Sequence, residues 1–154
     1  MITSCIIIIR SISYIMAPMI INPYRFVAAE STFTVGEMTG SHTMNAEGGW
    51  KTYTTQNFGS EKQINAIQIV GTHGMPQTSV KNASWRILTT YNTQIGTTQT
   101  VPNGTSNGTS FDTGKMEFSE ITAAGIKLQI AQETLYTPYP VVTVTCSTNT
   151  IWEA

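Results

Sequence analysis

The sequence predicts an all-β protein, an antiparallel β-sandwich carrying an extended N-terminal arm. Three observations lead there. No stretch long enough for three helical turns repeats apolar positions at i, i+3, i+4 and i+7 without Gly, Pro or a Thr run. Short runs rich in Val, Ile, Thr and aromatic residues recur instead, bounded by Gly, Asn, Ser and Pro. Several of these runs alternate apolar and polar side chains, which suits a sheet with one buried and one wet face.

Residues 1–24 read as the arm and residues 25–154 as the sandwich domain. Ile dominates the arm, and Pro18 and Pro23 interrupt any helix. The apolar run Cys5 to Ile9 is far shorter than the roughly 20 residues of a membrane span. It lacks the basic start and small-residue cleavage site of a signal peptide. Met16 opens a second natural-looking start, so residues 1–15 read as an upstream extension. An exposed Ile-Ile-Ile-Ile strand invites aggregation and has to be covered by the domain's own sheet or by a neighbour. Ile6, Ile7, Ile8, Ile9, Ile20 and Ile21 are therefore the candidate docking side chains.

From Arg25 the strands follow in order. Arg25–Ala29 and Thr32–Val35 come first, and Trp50–Thr54 follows the Gly48-Gly49 break. Gln63–Val70 puts Ile67 and Ile69 on one face. Ala83–Tyr91 puts Trp85 and Ile87 on one face, Arg86 and Leu88 on the other. Thr97–Val101 is Thr-rich and needs a wet face. Phe111 and Lys115–Phe118 flank a turn at Asp112-Thr-Gly114. Gly125–Ala131 points Ile126, Leu128 and Ile130 inward, with Lys127 and Gln129 outward. Val141–Cys146 closes, with Val142, Val144 and Cys146 on one face. Roughly eight to ten strands at such spacing fit a sandwich. The tandem Asn-Gly-Thr of residues 102–109 reads as a long hairpin tip or loop. Asn82, Asn103 and Asn107 head glycosylation sequons, which chance explains in so Asn- and Thr-rich a chain.

Charge narrows the function. Only 11% of the 154 residues are charged, with 8 Lys plus Arg, 9 Asp plus Glu and a net charge of −1. Nucleic-acid binding needs a basic face and is not expected. Thr, Ser, Asn and Gln replace the missing charge, as in secreted and particle-bound proteins. The two cysteines, Cys5 and Cys146, read as small buried hydrophobes or as one end-to-end bridge.

No catalytic constellation can be assembled. Glu117 and Glu120, three apart, do not share a strand face, and no Gly-x-Ser-x-Gly elbow occurs. Gly71-Thr-His-Gly74 puts His73 in a tight loop after a strand. Neither a metal nor a cofactor is called for. A binding patch needs less chemistry: Trp50, Tyr53, His73, Arg86 and Tyr91 offer aromatic faces and donors suited to a sugar or peptide. Trp85 reads as core and Trp152 as a packing anchor.

The order of these pieces resembles the discoidin, or F5/8 type C, galactose-binding-like jelly roll. The resemblance rests on Asn65-Ala-Ile-Gln-Ile-Val-Gly71, Ala83-Ser-Trp-Arg-Ile-Leu-Thr-Thr90, Phe111 through Gly125-Ile-Lys-Leu-Gln-Ile130, and Val141-Val-Thr-Val-Thr-Cys146. It covers roughly residues 26–147. Asn45-Ala-Glu-Gly-Gly-Trp50 echoes the family's early segment in part, without its Asp. The resemblance implies a jelly roll and a carbohydrate-binding adhesion module, with an extracellular setting. The arm and body are also similar to virion components of tailed phages, capsid decoration or tail and baseplate accessory proteins. That similarity, the low charge and the apolar arm favour a non-enzymatic virion structural module. Its partners would be other virion proteins or copies of itself, with a glycan as the alternative.

Overall fold

The computed structural model describes residues 29–44, 49–79, 81–132 and 139–154. The arm, its isoleucines and Cys5 lie outside these residues, as do most of Arg25–Ala29 and the segment 45–48. The described residues form eight strands: β1 (Thr32–Val35), β2 (Met38–Thr43), β3 (Gly49–Met75), β4 (Ala83–Thr89), β5 (Gln94–Val101), β6 (Thr105–Asp112), β7 (Met116–Gln132) and β8 (Val141–Glu153). Every pairing is antiparallel. The order is β1-β8-β3-β7-β4-β5, with β2 also on β8 and β6 on β3.

The 27-residue β3 organises the sandwich. Its N-terminal half pairs with β7, and its C-terminal half lies between β8 and β6. Extra residues bulge out between Asn57 and Lys62 and between Ile64 and Ala66, so the strand bends as it passes from one layer to the other. β2 then lies across the N-terminal half of β3. Thr54 Oγ1 donates to Thr39 O at 2.6 Å, and Gln56 Nε2 to Glu37 O at 2.9 Å.

Alternation puts the core between the layers. Ile67, Ile69, Ile87, Ile126, Leu128, Ile130, Val142, Val144 and Cys146 are all buried, as the sequence predicts. Trp85 is the largest, and its ring stands 5.1 Å from Phe111. Each such side chain contributes roughly 1.5–3 kcal/mol by leaving water. Leu88 is buried as well, because the end of β4 is covered on both faces.

Four sequence expectations are corrected. Trp50–Thr54 and Gln63–Val70 are parts of one strand, and so are Gly125–Ala131 and all of Lys115–Phe118 but Lys115 itself. β2 is a strand that composition hides. Residues 105–112 form β6, not a hairpin tip, because the edge of β3 offers them a ladder. His73 accordingly lies inside β3, not in a loop. Where β6 bulges, Asn107 Cα sits 2.5 Å from the place a Cβ on Gly74 would occupy, so only glycine admits that crossing.

Candidate functional site

The outer face of the layer β3-β7-β4-β5 carries a polar row running across four strands. Thr52, Gln129 and Arg86 are register partners on β3, β7 and β4. Gln129 Nε2 donates to Thr52 Oγ1 at 3.0 Å. Arg86 Nε and Nη2 both donate to Gln129 Oε1, at 3.1 and 3.0 Å. Arg86 Nη1 reaches Gln94 Oε1 on β5 at a long 3.4 Å. The guanidinium carbon lies 4.1 Å from the centre of the Trp50 ring, a cation–π stack. Gln129 is buried, Arg86 and Trp50 are half-buried. The arginine is thus held by two neutral glutamine acceptors, one of them at long range, and one aromatic face. No carboxylate among the described residues pairs with it.

The five residues singled out from sequence divide between four places. Only Trp50 and Arg86 meet. Tyr53 is the extra residue of the bulge between Thr52 and Thr54 and faces β2. There its ring stands 5.8 Å from that of His42, and burial raises its hydroxyl above the usual tyrosine range. His73, in the C-terminal half of β3, stacks 5.1 Å from Phe111, and burial lowers its imidazole below the usual range. Tyr91 lies in the β4–β5 turn and donates to Glu61 on the β3 bulge. That hydrogen bond raises its hydroxyl, with burial and the Glu61 charge adding to it.

The sequence reading did not select Gln129, Thr52 and Gln94. Gln129 was legible as an outward residue of β7, but its partners depend on register between strands far apart in the chain.

A second polar cluster flanks a shallow cleft lined by Glu30, Asn65, Lys115, Glu117 and Phe118. Lys115 Nζ lies 2.9 Å from both Glu30 oxygens, 3.5 Å from Glu117 and 5.1 Å from the centre of the Trp152 ring. The lysine holds the Glu30 carboxyl below its usual range. Its charge is already matched. Cys146 is a free, buried thiol pushed up to about 12 by burial and by the Glu37 charge, which makes it a poor nucleophile. Asn82 and Asn103 serve structure: Asn103 N donates to Asn82 Oδ1, and the Asn103 carboxamide clasps the Ser79 backbone. Among the described residues no three His, Cys, Asp or Glu are grouped to hold a metal, and no helix is long and apolar enough to cross a membrane.

No family model and no curated protein matches the chain. Solved structures with partial likeness include a mutant VP2 protein of infectious bursal disease virus in T=1 particles, at 14% identity, covering 82% of this chain and 36% of that one, with a TM-score of 0.35. A VP2 subviral particle of the same virus matches at 15% identity, covering 82% and 38%, with a TM-score of 0.28. The virus's Gt strain gives 15%, 82%, 38% and 0.30. The chain spans little more than a third of the length of these proteins.

Proposed function

We propose that this chain is a non-enzymatic virion structural module that docks on neighbouring subunits, copies of itself or other virion proteins, through its apolar N-terminal arm. The observation that carries the reading is the outer edge of β5. Gln94–Val101 holds no charged residue and no proline, and among the described strands it pairs only with β4. Free-standing proteins guard such an edge with Lys, Pro, a bulge or a covering segment; of these β5 carries the bulge between Ile95 and Gln99. Around that bulge Met116 lies against Gly96 and Gln99 Nε2 donates to Thr97 O; the remaining edge is neutral Thr and Gln, which suits strand addition by another chain.

The arm supplies the matching element. Ile6–Ile9 is a β-branched run with little use for solvent. The described chain starts beside β1, at the opposite end of the strand order from β5. A contact from the arm of one copy to β5 of the next is head-to-tail, and such contacts build rings or lattices. Many weak contacts on a lattice then add by avidity. A place in capsid decoration or in a tail or baseplate, and a discoidin-type jelly roll, belong to the same proposal.

The test compares the full chain, a chain lacking residues 1–15 and a Thr98→Pro variant by light scattering and electron microscopy over a range of concentrations. Assembly of the full chain, lost in both variants with their folded spectra intact, is expected. A monomer at every concentration that also fails to join particles, or assembly unchanged without residues 1–15, overturns it.

A further inference from the structure

We infer that the end-on edge of the Arg86 guanidinium is a binding site for the carboxylate of an acidic sugar. The inference does not depend on the assembly reading. Arginine presents two edges that match a carboxylate, the side-on pair Nε and Nη2 and the end-on pair Nη1 and Nη2. Gln129 occupies the side-on edge with two hydrogen bonds to one oxygen. The end-on edge has only the 3.4 Å contact from Gln94. Gln94 is exposed, and its Nε2 already turns to Thr98 Oγ1 at 3.3 Å. A carboxylate arriving there replaces one long hydrogen bond with two charge-assisted ones.

The arginine is also preorganised. Trp50 fixes the plane of the guanidinium from one face, and the chain Arg86–Gln129–Thr52 fixes its rotation. Little side-chain entropy is left to lose on binding, which is what makes a small ligand bindable. A mobile lysine would not serve in this way.

The surroundings select a sugar over an acidic side chain. Thr52, Gln94 and Thr98 supply neutral donors and acceptors around the cation, suited to ring hydroxyls. A neutral sugar is disfavoured, because the stacked face of Trp50 is occupied by Arg86 itself.

The test uses the full chain and titrates sialyllactose, glucuronic acid, lactose and acetate by NMR chemical-shift mapping. Sialyllactose or glucuronic acid should move the resonances of Arg86 and the Trp50 indole, while lactose does not. Affinity should fall at least tenfold in Arg86→Gln and in Arg86→Lys. Arg86→Lys retains a cation, so a simple charge effect would spare it. Acetate binding as tightly as the uronic acid, lactose binding equally, no binding of either acidic sugar, or full affinity in Arg86→Lys each overturns the inference. Should Arg86→Gln not fold, the sugar comparison on the wild-type chain decides alone.

Discussion

The carbonyl oxygen of Thr145 lies 1.9 Å from where a Cβ on Gly71 would sit. The β3–β8 register shifts at this point, pairing Val70 with Thr148 and Gly71 with Cys146. The two backbones come too close there for any side chain.

Gly71→Ala is therefore expected to cost about 3 kcal/mol or more, since backbone and not a flexible side chain must give way. Gly108→Ala is the control. That glycine has φ 80° but nothing within 4 Å of its Cβ position, so only the left-handed backbone is strained, at about 1–2 kcal/mol. Urea denaturation of both variants checks the contrast. Equal costs would mean that the β3–β8 crossing relaxes.

Part of any alkaline destabilisation should trace to Cys146. Its thiol is raised from 9.0 to about 12 in the folded protein, so the native state keeps the proton that the unfolded chain gives up. Its contribution is fully present below about pH 9 and is lost as pH climbs toward 12, at up to about 1.4 kcal/mol per pH unit. Urea midpoints at pH 8, 9.5 and 10.5 should fall more steeply in wild type than in Cys146→Ala. The native thiol should resist iodoacetamide at pH 8 until denaturant is added.

At the acid end the Glu153 carboxylate is held below its usual range by Lys62 Nζ at 2.6 Å and by the Ser31 hydroxyl at 2.6 Å. A lowered carboxylate stabilises above its ordinary value and loses that effect as pH falls through the folded one. Glu153→Gln should be less stable than wild type at pH 7. The gap should shrink as pH falls below 4.5 toward 3 and narrow in high salt, because the pair is only half-buried. Melting curves at the two pH values settle it. A gap undiminished between pH 7 and pH 3 would assign the loss to packing.

The core was legible because it rests on short-range alternation. Ile126, Leu128 and Ile130 announce their face without help from any other strand. β2 was not legible, since Gly40, Ser41 and His42 lack strand propensity; its signal is the spacing of buried Met38, Gly40, His42 and Met44. The sequence of β6 reads as a turn because Asn-Gly favours one locally, and the edge of β3 overrides that preference. Trp50 and Arg86 were each marked from sequence. Their contact was not, because it follows from the β3–β7–β4 register, which joins residues 36 positions apart. Tyr53 stands three residues from Trp50, so strand alternation alone turns it to the opposite face, which the sequence could have shown.

The position of β8 has a consequence for synthesis. It is the last of the eight strands to leave the ribosome, yet it lies between β3 and both β1 and β2. Until it emerges, β1 and β2 have no sheet to join, and the C-terminal half of β3 shows one naked edge beside Ile67 and Ile69. Folding must then wait for pairings such as Thr32 with Trp152, among the most distant in the chain, and such topologies close slowly. The nascent chain is at greatest risk of mispairing with its siblings on the same messenger just before β8 emerges.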